Sequence, residues 1–157
     1  QASGAIPRLL DLGVKAASLA PALNLLIAQR LVRRICTHCK EKVEVTSDLK
    51  EKLEKFISAL PERVNKKYYL ENLQIAKGKG CEKCNFSGYK GRVGIYELLV
   101  VNEKIQELII KESGQLAIEE EVKKSDFVSM QQDGVLKFAT GLTSLEEVES
   151  VTGKINW

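Results

Sequence analysis

Residues 78–101, with the sequence GKGCEKCNFSGYKGRVGIYELLVV, place a Cys-x-x-Cys pair directly before a segment rich in β-branched and aromatic residues. The earlier stretch LLIAQRLVRRICTHC (25–39) has the mirror arrangement, an apolar segment that ends in another Cys-x-x-Cys pair. We predict strands over residues 26–34 and 92–101, because such short runs favour an extended backbone. Each predicted strand is therefore joined to a cysteine pair.

These two pairs contain every cysteine of the chain, namely Cys36, Cys39, Cys81 and Cys84. The sequence does not open with a secretion signal, so we expect reduced thiols rather than disulfides. Each pair can form a knuckle with two sulfurs about 2.3 Å from one ion, and two knuckles complete a tetrahedron. We therefore predict a structural zinc site with no open position for a substrate. Free thiols and a redox pair remain the alternatives, although a redox Cys-x-x-Cys normally occurs once and opens a helix.

His38, the only histidine, lies inside the first cysteine pair. It could replace one cysteine as a ligand, but four thiolates already complete the shell, so we expect an exposed loop residue. The sequence has no G-x-x-x-x-G-K-[ST], G-x-G-x-x-G or G-x-S-x-G motif. We therefore predict that the chain alone has no catalytic and no nucleotide-binding residues, and that it is inactive by itself.

Composition sets broad limits on the fold. The 157 residues are 44% hydrophobic and 29% charged, which fits one globular domain or one domain with an insertion. A net charge of +3 is too small to indicate nucleic acid by itself. The longest apolar run, residues 16–28, is shorter than the roughly 20 residues that span a bilayer, and Pro21 interrupts it.

Helical periodicity covers much of the remaining chain. We predict short helices over residues 3–13 and 15–24, a helix that begins at Ser47 or Asp48 and ends before Pro61, and helices from residue 102 onward. A further strand is predicted over residues 72–78. The last helix is predicted to begin with a capping box, in which Thr143 and Glu146 satisfy each other's free backbone donors.

Four segments carry a family resemblance: GAIPRLLDLGV (4–14), IAQRLVRRICTHC (27–39), GCEKCNFSGYKGRVGIYELL (80–99) and MQQDGVLKFATGLTSLEEV (130–148). In this order they resemble the carboxy-terminal part of the assembly ATPases of type II secretion systems and type IV pili. Retraction motors of the superfamily have arginines where this chain has Gln106 and Ile110, and they lack the cysteine-containing insertion. The resemblance thus favours an assembly motor, and it extends equally to secretion, pilus assembly and DNA uptake.

The resemblance implies an α/β fold, namely the end of a RecA-like ATPase lobe with a zinc-binding insertion and a carboxy-terminal helical bundle. The implied division is a core segment (1–35), the insertion (36–91), a returning core strand (92–101) and a helical subdomain (102–157). Zinc, rather than an apolar core, would hold the insertion together. The parent would be a cytoplasmic homo-hexamer that binds ATP and Mg²⁺ through upstream motifs and acts on an inner-membrane platform protein.

A zinc-ribbon module that binds nucleic acid is the alternative function. Its phosphate contacts would come from arginine and lysine side chains of the chain. The candidates are Arg30, Arg33, Arg34, Lys66 and Lys67.

Overall fold

The computed structural model describes all residues from 1 to 157, and the chain has a mixed α/β fold. A 3₁₀ turn at Glu82–Cys84 accompanies the regular elements. None of the helices combines the length and the apolar character that crossing a lipid bilayer requires. In chain order the elements are α1 (Ala5–Asp11), α2 (Ala16–Ala22), β1 (Leu25–Ile35), β2 (Lys40–Lys42), α3 (Ser47–Ser58), α4 (Lys66–Glu71), β3 (Ala76–Gly78), β4 (Tyr89–Val100), α5 (Glu103–Ile110), α6 (Gln115–Lys123), α7 (Met130–Ala139) and α8 (Leu145–Thr152).

Strands β1 and β4 pair with each other in a two-stranded sheet. At one end the Val101 N–H donates to the Asn24 carbonyl, and at the other the Cys36 N–H donates to the Gly88 carbonyl, both at 2.9 Å. Early residues of one strand therefore meet late residues of the other, so the pair is antiparallel. The two strands predicted over residues 26–34 and 92–101 are confirmed, and the cysteine pairs lie at the same end of the strand pair.

A second, smaller sheet lies within the segment that joins these strands. Strand β2 pairs antiparallel with β3, in a register that sets Lys40 opposite Gly78 and Lys42 opposite Ala76. The strand predicted over residues 72–78 is shorter than expected and begins at Ala76. The reason is that the Gln74 N–H donates to the carbonyl of Ala139 at the end of α7 instead of joining the ladder.

The chain forms two compact units, residues 1–28 with 97–129 and residues 29–96 with 130–157. The core of the first unit brings α1 and α2 together with the end of β4, α5 and α6. Its fully buried side chains include Ile6, Leu99, Ile105, Ile109 and Ile118. Helices after residue 102 are thus divided between the two units.

The core of the second unit combines the insertion with the last two helices. Leu53 and Ile57 of α3 pack with Val135 of α7 and Val148 of α8, and all four are inaccessible to solvent. The expectation that zinc, rather than an apolar core, holds residues 36–91 together is therefore wrong, because apolar residues of this segment complete a core with α7 and α8. A metal in the insertion would act on an element already packed against these helices.

The predicted capping box at the last helix is also wrong. Ser144 is the N-cap, and its hydroxyl accepts the Glu147 N–H at 3.4 Å. Thr143 is fully buried and donates its hydroxyl to the Arg33 carbonyl at 2.8 Å, so it cannot cap the helix. Helix α3 begins at Ser47, as predicted, and its N-cap is Thr46, whose hydroxyl accepts the Leu49 N–H at 3.3 Å.

Candidate metal centre

The four predicted ligand residues come together at the end of the β1–β4 pair. Their sulfur atoms all lie within 4.8 Å of one another. The Cys36–Cys81 distance is 4.0 Å, the Cys39–Cys84 distance is 3.8 Å and the Cys81–Cys84 distance is 3.7 Å. A tetrahedron with sulfur about 2.3 Å from a central ion has edges of about 3.8 Å. The cluster therefore has the dimensions of a four-thiolate metal site.

The second knuckle is shaped by a reversal of the backbone after Cys84. The Cys84 and Phe86 N–H groups both donate to the Cys81 carbonyl, at 3.1 and 2.9 Å. Asn85 and Phe86 both have positive φ, at 49° and 58°. This local strain turns the chain around the sulfurs, which is typical of a backbone held by a functional site.

Glycine is required where the chain before Cys81 comes into contact with the chain after Cys84. A Cβ on Gly78 would lie 2.0 Å from the Gly88 carbonyl oxygen, and a Cβ on Gly88 would lie 2.6 Å from the Gly78 oxygen. Gly88 also has φ of +77°, which other residues rarely adopt. These glycines let the strand leading to Cys81 and the strand leaving Cys84 run in contact.

Backbone amides point at two of the sulfurs. The Gly80 N–H donates to Cys39 Sγ at 3.3 Å, and the Cys81 N–H donates to Cys84 Sγ at 3.2 Å. Such bonds favour the thiolate form, which is the form that binds metal. The backbone therefore supplies one hydrogen bond to a thiolate at each of these two positions.

The cysteine pKa values diverge across the cluster. Burial raises the pKa of Cys39 to about 12, with further raising by the neighbouring thiols. Burial acts in the same direction on Cys84, but N–H groups of Cys81 and Gly88 and the nearby thiols outweigh it and lower its pKa to about 6. Without a cation, four close sulfurs cannot all ionise, and a divalent ion would remove that conflict.

Access to the site is limited. Cys36 and Cys84 are buried, Cys39 and Cys81 are half-buried, and none of the four is in a disulfide. His38 is exposed and lies outside the sulfur cluster, as expected for a loop residue. Four sulfurs at these distances leave no vacant coordination position, so the arrangement suits a structural ion rather than a catalytic one.

A polar network beside the cluster was not predicted from the sequence. Arg33 donates from Nε and Nη2 to Glu147 at 2.9 and 2.6 Å, and its guanidinium carbon lies 4.3 Å from the centre of the Tyr89 ring. Tyr89 in turn donates its hydroxyl to Ser144 at 2.9 Å. The hydrogen bond between the two side chains lowers the pKa of Glu147 and raises the pKa of Arg33. Local sequence signals could not reveal this network, because 114 positions separate Arg33 from Glu147.

The cations that would serve nucleic-acid binding are mostly engaged within the chain. Arg33 and Lys67 form ion pairs, and Lys66 donates to a backbone carbonyl. Of the five candidates, only Arg30 and Arg34 are exposed and have no intramolecular side-chain partner. Two free arginines make a weak phosphate-binding surface, so the structure does not favour the nucleic-acid alternative.

Comparison with known proteins shows similarity to secretion and pilus assembly proteins. The family described as Type II/IV secretion system protein matches residues 1–150. The chain is 42% identical to Type II secretion system ATPase E of Vibrio cholerae over 96% of its own length and 27% of the relative's. It is 39% identical to Type IV pilus assembly ATPase PilB of Pseudomonas aeruginosa over 96% of its length and 25% of the relative's. Against PilB of Thermus thermophilus the identity is 38%, over 94% of this chain and 15% of that protein. The chain therefore spans about a quarter or less of these relatives.

Proposed function

Because the chain belongs to the type II/IV secretion system protein family, we propose that it is the carboxy-terminal region of a hexameric ATPase that powers type IV pilus assembly or type II protein secretion. The observation that carries the proposal is the similarity along 96% of the chain to a secretion ATPase and to a pilus assembly ATPase. Both relatives are named as ATPases, and both names refer to an assembly or export machine.

We further propose that Cys36, Cys39, Cys81 and Cys84 bind one Zn²⁺ per chain. The support is the donor set, since four thiolates at tetrahedral spacing suit zinc, together with the amides directed at Cys39 and Cys84. When bound, the ion supplies a fourfold cross-link and no reaction chemistry. The chain itself shapes the second knuckle, because the close contact of Gly78 with Gly88 holds its two ends together.

In the parent protein this chain would complete a RecA-like lobe whose ATP- and Mg²⁺-binding motifs lie upstream. Residues 1–35 and 92–101 would belong to that lobe, 36–91 would be the metal-binding insertion, and 102–157 would be the helical subdomain. The parent would work in the cytoplasm against the inner membrane, in contact with its platform protein and with neighbouring subunits. The contribution of this chain would be to hold the surfaces that make those contacts.

The path of the chain explains how zinc would stabilise such a motor. The segment between β1 and β4 must leave and return at the same end of one strand pair, and closing a long loop costs conformational entropy. An ion bound at both the exit and the return removes much of that freedom. ATP-driven motion would then move the insertion as a rigid element instead of deforming it.

The experiment that tests this function uses the full-length parent in its own host. The parent gene is deleted, and the strain is complemented with the wild type, Cys81→Ser or His38→Ala. We expect Cys81→Ser to retain nucleotide binding and to lose most pilus assembly or secretion. His38→Ala serves as the matched control, because this exposed residue lies inside the first knuckle but outside the sulfur cluster. Normal assembly and secretion by the Cys81→Ser strain would contradict the proposal.

A further inference from the structure

The turn between α7 and α8 binds the free edge of β1 just before the first cysteine pair. The Ile35 N–H donates to the Leu142 carbonyl at 2.9 Å. The Thr143 hydroxyl donates to the Arg33 carbonyl at 2.8 Å, and the Arg33 N–H donates to the Glu147 carboxylate at 2.9 Å. Three successive backbone groups of an edge strand are thus satisfied by one turn and the helix that follows it.

The same helix start is held by side chains from both strands. The Arg33 guanidinium of β1 contacts the Glu147 carboxylate and the face of the Tyr89 ring of β4. The Tyr89 hydroxyl donates to Ser144, the N-cap of α8. A closed circuit therefore joins β1, β4 and the first turn of α8.

Both strand residues of this circuit are adjacent to the four-cysteine cluster. Arg33 is followed within three positions by Cys36, and Tyr89 is preceded by Gly88, whose carbonyl accepts the Cys36 N–H. On the other side of the turn, a Cβ on Gly141 would lie 2.2 Å from the carbonyl oxygen of Gln74. The turn thus contacts the insertion as well as β1.

We propose that the four-cysteine centre and the start of α8 form one cooperative unit, in which metal binding orders residues 141–150 and the Arg33–Glu147–Tyr89 circuit transmits the effect. This inference rests on the proposed metal centre. A metal ion fixes Cys36 and the return after Cys84, and so fixes the strand positions that the circuit requires. Without the ion, the strand ends separate and the start of α8 loses its partners.

Because coupling between two sites is reciprocal, the proposal can be tested at the metal centre or at the start of α8. If the metal stabilises the circuit by some factor, the intact circuit must raise metal affinity by the same factor. Couplings between sites typically change affinity 5- to 150-fold, and a circuit with one exposed cation belongs near the lower limit, so we expect about a tenfold effect. Metal affinity therefore reports on helix α8, although no residue of α8 forms a hydrogen bond with a sulfur.

The test compares variants of the 157-residue chain in Zn²⁺ competition with a chromophoric chelator. Glu147→Gln removes the carboxylate that binds Arg33, and Glu146→Gln makes the same change in charge at an exposed neighbouring position. Tyr89→Phe keeps the aromatic ring and removes the hydroxyl, with Tyr68→Phe as its exposed control. We expect Glu147→Gln to bind Zn²⁺ about tenfold more weakly than Glu146→Gln, and Tyr89→Phe to bind severalfold more weakly than Tyr68→Phe.

Hydrogen exchange on the wild type supplies the second arm. Removing Zn²⁺ should increase amide exchange over residues 141–150, and Glu147→Gln should reproduce that increase while Zn²⁺ is bound. Equal Zn²⁺ affinity of Glu147→Gln and Glu146→Gln, with a wild type that binds one ion, would overturn the coupling and leave the metal centre intact. A wild type that binds no Zn²⁺ would overturn both. Unchanged exchange over 141–150 on chelation would also overturn the coupling.

Discussion

The sulfur of Cys36, at the end of β1, lies 4.0 Å from the sulfur of Cys81, which is 45 positions later in the chain. The contact closes the segment that leaves β1 at the point where it returns toward β4. Bringing together two residues that are 45 positions apart in the chain costs conformational entropy. An ion that binds both sulfurs offsets this cost. Removing the ion should therefore destabilise the elements against which the closed segment packs.

Replacing one ligand should loosen the second compact unit and spare the first. We expect Cys81→Ser to weaken Zn²⁺ binding and to increase amide exchange in α3, α7 and α8, whose side chains share one core. Helices α1, α2 and α5 pack in the other core and should keep their protection. Hydrogen exchange resolved by peptide measures both responses in one sample. An equal loss of protection in α5 would contradict the division into two cores.

The contact of Gly78 with Gly88, at the two ends of the second knuckle, gives a steric prediction. Gly88→Ala places a Cβ 2.6 Å from the Gly78 carbonyl oxygen, whereas Gly91→Ala meets nothing within 4 Å although φ is similarly positive, +78°. Both substitutions carry the backbone strain of about 1–3 kcal/mol, and only the first adds a clash. We therefore expect Gly88→Ala to lower the free energy of unfolding more than Gly91→Ala and to weaken Zn²⁺ binding as well. Chemical denaturation with bound Zn²⁺ makes the comparison, and equal losses would remove the steric role assigned to Gly88.

The ion pair of Arg33 and Glu147 predicts a dependence of stability on pH. The hydrogen bond from Arg33 lowers the pKa of Glu147, so folding favours the ionised carboxylate. Its contribution is complete above the ordinary pKa of about 4.5 and is lost as the pH falls through the lowered value. At pH 7 we expect Glu147→Gln to be less stable than the wild type by about 1 kcal/mol, and the gap to close in acid. Denaturation between pH 7 and pH 3 tests this, and a gap that widened in acid would reverse the assignment.

A core substitution tests the joint packing of the insertion with the last helices. Leu53 of α3 is fully buried against residues of α7 and α8, whereas Leu49 of the same helix is half-buried. Leu53→Ala should lower the free energy of unfolding by about 2–5 kcal/mol, because it leaves a cavity in a shared core. Leu49→Ala should cost clearly less. Exchange that rose only in α3 of the Leu53→Ala chain would show that α7 and α8 do not depend on it.

Nucleotide chemistry is expected to be absent from the isolated chain. The sequence has no phosphate-binding loop, so neither backbone amides nor a loop lysine are available to hold the β- and γ-phosphates. We expect no tight ATP binding by equilibrium dialysis and no phosphate release above background. Turnover that persisted through further purification steps would contradict the proposal that the catalytic motifs lie upstream in the parent.

The features predicted correctly from the sequence were those with local signals. The run LLIAQRLVRRI (25–35) and the segment after Cys84 carry strand composition, and the Cys-x-x-Cys spacing indicates a knuckle by itself. The features that were missed depend on residues far apart in the chain. Thr143 matches a capping pattern, but the carbonyl of Arg33 is a competing partner that only the folded chain provides. The shared core of α3, α7 and α8 was missed for the same reason, because helical periodicity shows an apolar face and not what covers it.

The identity and geometry of the bound ion test the proposed centre most directly. The chain is purified without added metal under reducing conditions, and elemental analysis is combined with X-ray absorption at the zinc edge. We predict one Zn²⁺ per chain, bound by four sulfur atoms at about 2.3 Å and bound more weakly when Cys81 is replaced by serine. A chain without stoichiometric metal, a first shell containing nitrogen, or a disulfide between the knuckles would contradict it.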